Sequence, residues 1–270
     1  MCCHKLYNIT PPLAVPIQGG RAINPPVDGI VGDNLGDNIS DKNREYCELT
    51  VQYYAWKNED CDAYGFCHYR RFFGFGAKTK HPYLAFGKMT VKQQERCLGT
   101  AECIEKAVAD NDIIVTRPEN LGSTVAEYYA ASKHHYKEDL ELFVNIISEK
   151  FPELTPFTKQ YLSQNYQYFC NMFIMKKQFF NEYCEILFSI LTEFDKRKTM
   201  HGNFQSDRTD GYLGERFVGI YLAYAKSKGA KIAEVPRIDV DCTLKKRALH
   251  KLLPPQSKRR MAVKKILRHI

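Results

Sequence analysis

Short apolar runs recur along the chain with helix-forming stretches between them, and that alternation limits the possible folds more than any other feature. "AYGFCHYRRFF" (63–73), "IIVTRP" (113–118), "YFCNMFIMKK" (168–177) and "AKIAEVP" (230–236) read as strands. Tyr46, Leu49, Tyr53 and Trp56 recur at steps of three and four, which gives a helix with one buried face, capped by Ser40 or Asn43. Residues 91–110 read as a helix, as do 123–163 with breaks at Pro152 and Pro156. A long helix runs to about residue 196, and "YLGERFVGIYLAYAKSKG" (212–229) is a last one, closed by Gly229. Strands alternating with helices predict an α/β domain with a mostly parallel central sheet flanked by helices. The expected organisation is one domain over residues 1–243 and a basic tail over 244–270.

The tail explains the charge. The chain carries +8, but residues 244–270 hold ten Lys/Arg and no Asp/Glu, which leaves 29 basic against 31 acidic residues in the body. A body at −2 argues against nucleic-acid binding, and the tail lacks aromatics to stack bases. Its basic residues interleaved with Leu, Met, Val and Ile suit an anionic membrane surface. A solvated, partly disordered terminus has equal standing on composition. No apolar run is long enough for a spanning helix, and "MCCHKLYNIT" is not a secretory signal. Ten cysteines without C-x-x-C spacing read as reduced, buried side chains of a cytoplasmic protein.

Ligands in open α/β sheets bind outside the carboxyl ends of strands. At the end of the first clear strand stand His68-Tyr69-Arg70-Arg71. Guanidinium groups suit phosphate oxygens. Two in succession on an extended chain point to opposite sides, so one faces a ligand while the other pairs with Glu45 or Glu48 of the preceding helix. A purely structural ion pair with a satisfied histidine fits the same residues. "GDNLGDNISDKN" (32–43) offers backbone and Asn/Asp groups for sugar hydroxyls, or a turn ending in a helix cap. "SDRTDGYLGER" (206–216) sets carboxylates beside arginines, which is either a general base or a helix-start ion pair. Two D-x-D pairs, Asp60/Asp62 and Asp239/Asp241, have the spacing that holds a divalent cation on a nucleotide sugar. The first precedes its strand and the second follows the last one, so both read as decoys. There is no phosphate-binding G-x-x-x-x-G-K-[ST] loop.

"DNISDKNREYCELTVQYYAWKN", "YGFCHYRRFF", "NDIIVTRP", "CNMFIMKKQFFNEYC" and "RTDGYLGERF", in this order, resemble a bacterial glycosyltransferase family catalogued as domain of unknown function 4422, over roughly residues 3–236. The resemblance implies a glycosyltransferase-A-like fold and a nucleotide-sugar-dependent hexosyltransferase. Its characterised members include galactofuranosyltransferases of O-antigen and capsule assembly that use UDP-galactofuranose. It carries substrate binding onto Asn38, Ser40, Asn43, Glu48, His68, Arg70, Arg71, Asn171, Arg208 and Arg216, and places Gly211 and Glu215 on a matching motif. Glu215 is the expected base of an inverting displacement, with Asp207 as second choice. His68 with Arg70 or Arg71 would support the departing diphosphate without a metal, the alternative being Mg or Mn. The implied partners are a UDP-sugar, a lipid-linked or oligosaccharide acceptor and the inner face of an anionic membrane. A non-catalytic nucleotide- or sugar-binding protein is the competing expectation.

Overall fold

The structure is a computed structural model that describes residues 1–4, 8–199 and 208–267, the last four as backbone only. In chain order its strands are β1 (Cys2–Cys3), β2 (Ile17–Gln18), β3 (Val31–Gly32), β4 (Ala63–Phe66), β5 (Arg71–Phe73), β6 (Tyr83–Ala85), β7 (Ile113–Thr116), β8 (Glu119–Asn120), β9 (Tyr166–Gln167), β10 (Phe173–Lys176), β11 (Ile232–Val235) and β12 (Arg237–Asp239). The central sheet has the order β11-β7-β10-β4. β7 pairs parallel with β11, and β10 is inserted in reverse between β7 and β4. Cys2 N–H donates to Cys67 O (2.8 Å) and Tyr69 N–H donates to Cys2 O (3.2 Å), so β1 lies alongside the continuation of β4. β2 and β3 follow β1 in parallel. All but β10 therefore run one way, and the mostly parallel sheet expected from the alternation is present. A smaller sheet, β5-β12-β6, stands beside it.

The reason for this arrangement lies in the side chains. Ile113, Ile114 and Val115 are at most 1% exposed, so β7 is buried on both faces and reads as one continuous apolar run. The helix Lys177–Arg197 presents Phe180, Tyr183, Cys184, Leu187, Leu191 and Phe194 to the sheet at steps of three and four, all fully buried. Burial of each such large side chain contributes about 2 kcal/mol. The helix Thr209–Ser227 approaches its neighbours through glycines. A Cβ at Gly214 would sit 2.7 Å from Leu49, and one at Gly219 would sit 1.9 Å from the Tyr161 ring.

Three local expectations change. The helix expected to run through Tyr46 to Trp56 is broken at Cys47, which takes φ +53, into Asn43–Tyr46 and Leu49–Asn58. Second, "AYGFCHYRRFF" is not one extended strand. His68 and Arg71 exchange backbone hydrogen bonds (3.1 Å each), so the chain reverses at Tyr69-Arg70 and Arg71 opens β5 in the smaller sheet. Third, the tail forms helices, Leu244–Leu252 and Lys258–Leu267, and is tied to the body. Lys246 reaches Asp239 (2.9 Å), the His250 ring meets Tyr83 (4.5 Å between centroids), and Arg260 donates to Tyr83 Oη (3.3 Å). Among the described residues no helix is long and apolar enough to cross a membrane. All ten cysteines are free thiols, and most are buried, as expected.

Behind the site, Lys198 closes the space between two helices. Its ammonium pairs with Glu45, Asp195 (2.6 Å) and Asp210 (2.8 Å), while Lys42 also reaches Asp195 (2.9 Å). Three carboxylates share two ammonium groups, so one acid is better off neutral, and the fully buried Asp210 is that one. Burial pushes its carboxyl up from 3.8 to about 7. A raised folded-state value means that the folded chain keeps this proton between pH 4 and 7 while the unfolded chain loses it. Stability from this group is therefore present at acid pH and lost as pH rises through 7. Asp210→Asn is expected to flatten the fall in melting temperature between pH 5 and 7.5. An unchanged slope in thermal melts would contradict this.

Candidate functional site

The site forms where the carboxyl ends of β1 and β4 meet the start of β10, and its centre is the dipeptide Cys170-Asn171. Both residues are left-handed, with φ +78 and +45. For residues with a Cβ this costs on the order of 1–2 kcal/mol each, so the surroundings must enforce it. They do so through side chains. Cys170 N–H donates to Glu215 Oε1 (2.5 Å), and Cys170 O accepts from His68 Nε2 (2.6 Å). Asn171 O accepts from Gln52 Nε2 (3.3 Å). Asn171 Nδ2 donates to Glu48 Oε1 (2.7 Å) and to Gly211 O (3.2 Å). Its buried Oδ1 has no partner among the described residues. Sequence-distant Glu48, His68, Asn171 and Glu215 are thus brought together around two peptide units.

The protonation states follow from these contacts. A carbonyl only accepts, so His68 carries its proton on Nε2. Burial lowers its pKa, against the pull of Glu48 at 3.9 Å, and it is neutral. Glu215 accepts from Cys170 N–H on one oxygen and from Arg216 Nη1 (2.7 Å) and Gln167 Nε2 (3.3 Å) on the other. Burial nevertheless raises its carboxyl above the usual carboxylate value, with Glu48 adding to the rise and Arg216 opposing it. The result is a carboxylate with an enhanced proton affinity, which suits a general base.

Cations ring these acids. Arg71 is exposed, and its guanidinium makes no hydrogen bond or ion pair among the described residues, although it acts electrostatically on Glu215. Arg208 donates Nε–H to Cys47 Sγ (3.2 Å) and lies over the Tyr212 ring (5.8 Å), with no carboxylate partner among the described residues. Arg70 holds a loose, half-exposed pair with Asp241 at 3.6 Å and lies over the Tyr69 ring (4.9 Å). His4, at the end of β1, has its pKa lowered by burial and then by Arg208 and Arg70, so it is neutral. The expectation that one arginine would pair with Glu45 or Glu48 is not met. Glu45 is taken by Lys198 and Glu48 by Asn171. The chain reversal at Tyr69-Arg70 carries both arginines away from the helix that bears Glu45 and Glu48.

Other expected residues fall outside the centre. Ser40 and Asn43 are turned inward. Ser40 Oγ bonds Asp33 and accepts from Ala22 N–H (3.0 Å), and Asn43 Nδ2 reaches Cys47 O (2.7 Å) and Thr50 Oγ1 (2.9 Å). Their polar groups are used in fastening the glycine-rich loop to the helix behind it. Asn38 pins its own turn through Gly36 O (2.9 Å) and Ser40 N–H (3.2 Å). Arg216 is 1% exposed and supports Glu215 through Nη1 (2.7 Å). Asp207 lies outside the described residues.

The D-x-D pairs do not fit a divalent cation, which needs carboxylates turned to one point. Asp239 is occupied by Arg237 (2.6 and 3.3 Å) and Lys246 (2.9 Å), while Asp241, at φ +58, turns outward to Arg70. Asp60 pairs with Lys177 before β4. A large apolar concavity of about 1300 Å³, floored by Gly65 and Ile174 and walled by Leu13, Phe75, Ile104 and Val108, includes none of the residues of this centre.

His4 and Asp33 were missed in the sequence. His4 belongs to a short strand that periodicity cannot detect. Asp33 is buried and accepts from Gly20 N–H (2.9 Å), Arg21 N–H (3.1 Å) and Thr50 Oγ1, and it fixes the loop that frames β2 and β3. No spacing rule reveals such a convergence.

The sheet order, the reversed β10 and the polar cluster at its amino end define an α/β fold of the glycosyltransferase type. The chain belongs to the family described as Domain of unknown function (DUF4422), whose model matches residues 1–227. Among solved structures, the apo form of WbbM, a bifunctional glycosyltransferase, superposes with a TM-score of 0.83 at 30% sequence identity, over 88% of this chain and 44% of that one. The chain thus spans less than half the length of that relative. No curated protein matches the sequence.

Proposed function

We propose that the protein is an inverting glycosyltransferase that moves a sugar from a UDP-sugar, galactofuranose being the first candidate, to a saccharide acceptor of a bacterial surface polysaccharide. The observation that carries this reading is a cationic edge to the site: Arg71, without an ion pair among the described residues, acts on the raised-pKa carboxylate of Glu215, while Arg208, without a carboxylate partner among the described residues, and loosely paired Arg70 stand on flanking segments. The similarity to WbbM supports it.

In the proposed reaction the cations receive the diphosphate. The bond from the sugar's anomeric carbon to the phosphate oxygen breaks, and its electron pair leaves with UDP toward Arg71. An acceptor oxygen forms the new bond from the opposite face, and its proton passes to Glu215. Neutral His68 holds the Cys170 carbonyl and Glu48 the Asn171 side-chain amide, and the Cys170 N–H keeps Glu215 oriented. Fixed donors at the point where charge develops are a large catalytic term. No step is assigned to a metal, since Asp239 is held by Arg237 and Lys246, Asp241 turns to Arg70 and Asp60 pairs with Lys177.

A panel of UDP-, GDP- and TDP-sugars tested for nucleotide release with mixed acceptor glycosides examines the proposal. Release from a UDP-sugar supports it. UDP binding without turnover on any donor would favour the non-catalytic reading and overturn this one.

The tail supports action at the inner face of the cytoplasmic membrane. On the helix Leu244–Leu252, Lys246 and His250 face the body, while Leu244 (77% exposed) and Leu252 (74%) point outward beside Lys245 and Lys251. Apolar side chains flanked by cations suit anionic lipid. Replacing Lys245 and Lys251 together by Glu is expected to weaken co-sedimentation with phosphatidylglycerol vesicles by about tenfold or more, at ~1 kcal/mol per basic residue. Equal sedimentation of both proteins would remove the membrane role.

A further inference from the structure

We infer that Gln167 is a positioning residue for Glu215, filling Oε2 together with Arg216 so that Oε1 is the oxygen that takes the acceptor's proton, an inference that rests on the transferase reading. A carboxylate has about four lone-pair positions, two on each oxygen. Glu215 Oε2 accepts from Arg216 Nη1 (2.7 Å) and from Gln167 Nε2 (3.3 Å), while Oε1 accepts from Cys170 N–H (2.5 Å). The position left over is the second lone pair of Oε1, beside the Cys170 peptide. The Glu215 side chain is 18% exposed, so an acceptor hydroxyl has access to it. Gln167 itself is fully buried on β9, where it pairs with Glu119 of β8, and Glu119 is held by Arg237 (2.9 Å). The chain on either side is fastened as well. Leu121 N–H donates to Asn165 O (2.8 Å), and Tyr168 N–H donates to Tyr161 Oη (3.2 Å). The amide therefore reaches Glu215 from a fixed base.

The orientation of that amide has an electrostatic cause. Its Oε1 is buried and has no hydrogen-bond partner among the described residues, which is costly for an acceptor. Turned over, the amide would satisfy nothing more and would set its oxygen against a carboxylate. The NH2 group is thus the part in use. A neutral donor also suits a base better than a second cation would, because it fixes the carboxylate with less lowering of its proton affinity. The charges that act on Glu215 are Arg216 on its own helix, Glu48 before the helix Leu49–Asn58 and Arg71 on β5. Cys170, Tyr161 and Tyr212 stand near it un-ionised, since burial raises the pKa of each. Exchanging Gln167 for another neutral residue leaves all of these charges in place, so a change in how Glu215 titrates reports the lost amide.

The test compares the full chain with Gln167→Met, which keeps the volume but cannot donate, and with Gln167→Glu, which keeps the shape and sets a second carboxyl against Glu215. Losing the donor raises the proton affinity of Glu215. The base works above its pKa and fails below it, so the acid limb of kcat/KM moves to higher pH, further in the Glu variant than in the Met variant. On that limb kcat/KM is expected to fall about fivefold in Gln167→Met and about tenfold or more in Gln167→Glu, with smaller losses on the high-pH plateau. Equal losses on limb and plateau, or the same limb in all three proteins, would overturn the inference, since a packing role lowers rate without moving the titration. A readout on the unsubstituted chain covers a variant that does not fold. In NMR spectra of the chain labelled at glutamate carboxyl carbons and side-chain amides, the Gln167 NH2 resonance is expected to shift with pH at the midpoint of the Glu215 carboxyl. The two signals are assigned by their loss in Gln167→Met or Gln167→Glu and in Glu215→Gln. A Gln167 resonance that ignores that midpoint would also overturn the inference. These spectra need no substrate. A chain that releases nucleotide from no donor defeats the transferase reading, and the shared midpoint still decides whether Gln167 acts on Glu215.

Discussion

Glu215→Gln is expected to lower turnover on the order of a thousandfold, because a positioned general base contributes ~10²–10⁴ in rate. The amide keeps the side chain's size and one acceptor oxygen but cannot take up the acceptor's proton. Donor affinity should change little, since the diphosphate is assigned to the arginines. The pH profile gives a second readout. Glu215 is active as the carboxylate, and its folded-state pKa is raised above 4.5 by burial. Activity is therefore present above the raised value and lost as pH falls through it, so the acid limb of kcat/KM should lie at a higher pH than a solvent-exposed glutamate would give. Glu48 is the internal comparison, since it is also a carboxylate of the site but spends one oxygen on Asn171. Normal turnover in Glu215→Gln together with loss in Glu48→Gln would reverse the two roles.

The sequence disclosed the layers of this fold because they rest on local periodicity. β7 is a continuous apolar run, the helix Lys177–Arg197 keeps steps of three and four, and both were legible at once. Pairing direction was less legible. β10 reads like its neighbours, and nothing in "FIMK" announces that it runs backwards between β4 and β7. The site was legible as a set of residue types at strand ends, not as geometry. The motif at 65–76 pointed to Arg70 and Arg71, but the reversal at Tyr69-Arg70 depends on two backbone hydrogen bonds that composition does not encode. Ser40 and Asn43 looked like ligand groups because a capping residue and a sugar-binding residue are chemically the same. In the structure Ser40 turns to Asp33 and Asn43 to Cys47 and Thr50, contacts that no spacing rule announces. The left-handed pair Cys170-Asn171 was hidden for a related reason. Its conformation is imposed by Glu48, Gln52, His68 and Glu215, residues drawn from widely separated parts of the chain.

Arg71→Ala is expected to lower turnover about a hundredfold, the usual cost of removing one fixed donor from developing negative charge, with almost no loss of stability. The second half of that statement makes the first informative. Most arginines in this fold cannot be removed cleanly. Arg237 is 6% exposed and bound to Asp239 and Glu119, so its loss would strand buried carboxylates. Arg71 has no such partner among the described residues and is exposed, and substitutions of that kind usually change stability by about 0.5 kcal/mol or less. A fall in kcat with an unchanged melting temperature would therefore report a charge acting on substrate. Arg71→Lys should recover part of the loss, since an ammonium keeps the charge but not the planar two-point contact with phosphate oxygens. Arg70→Ala should cost less, because Asp241 already offsets part of its field at 3.6 Å. Salt distinguishes this from a structural effect. If Arg71 meets the diphosphate, raising ionic strength should weaken UDP binding to the unsubstituted chain more than to Arg71→Ala, because screening acts on a charge pair only where both charges are present. Parallel salt curves with full turnover in Arg71→Ala would mean that the Arg71 guanidinium does not meet the diphosphate, and the leaving group would have to be sought at Arg208.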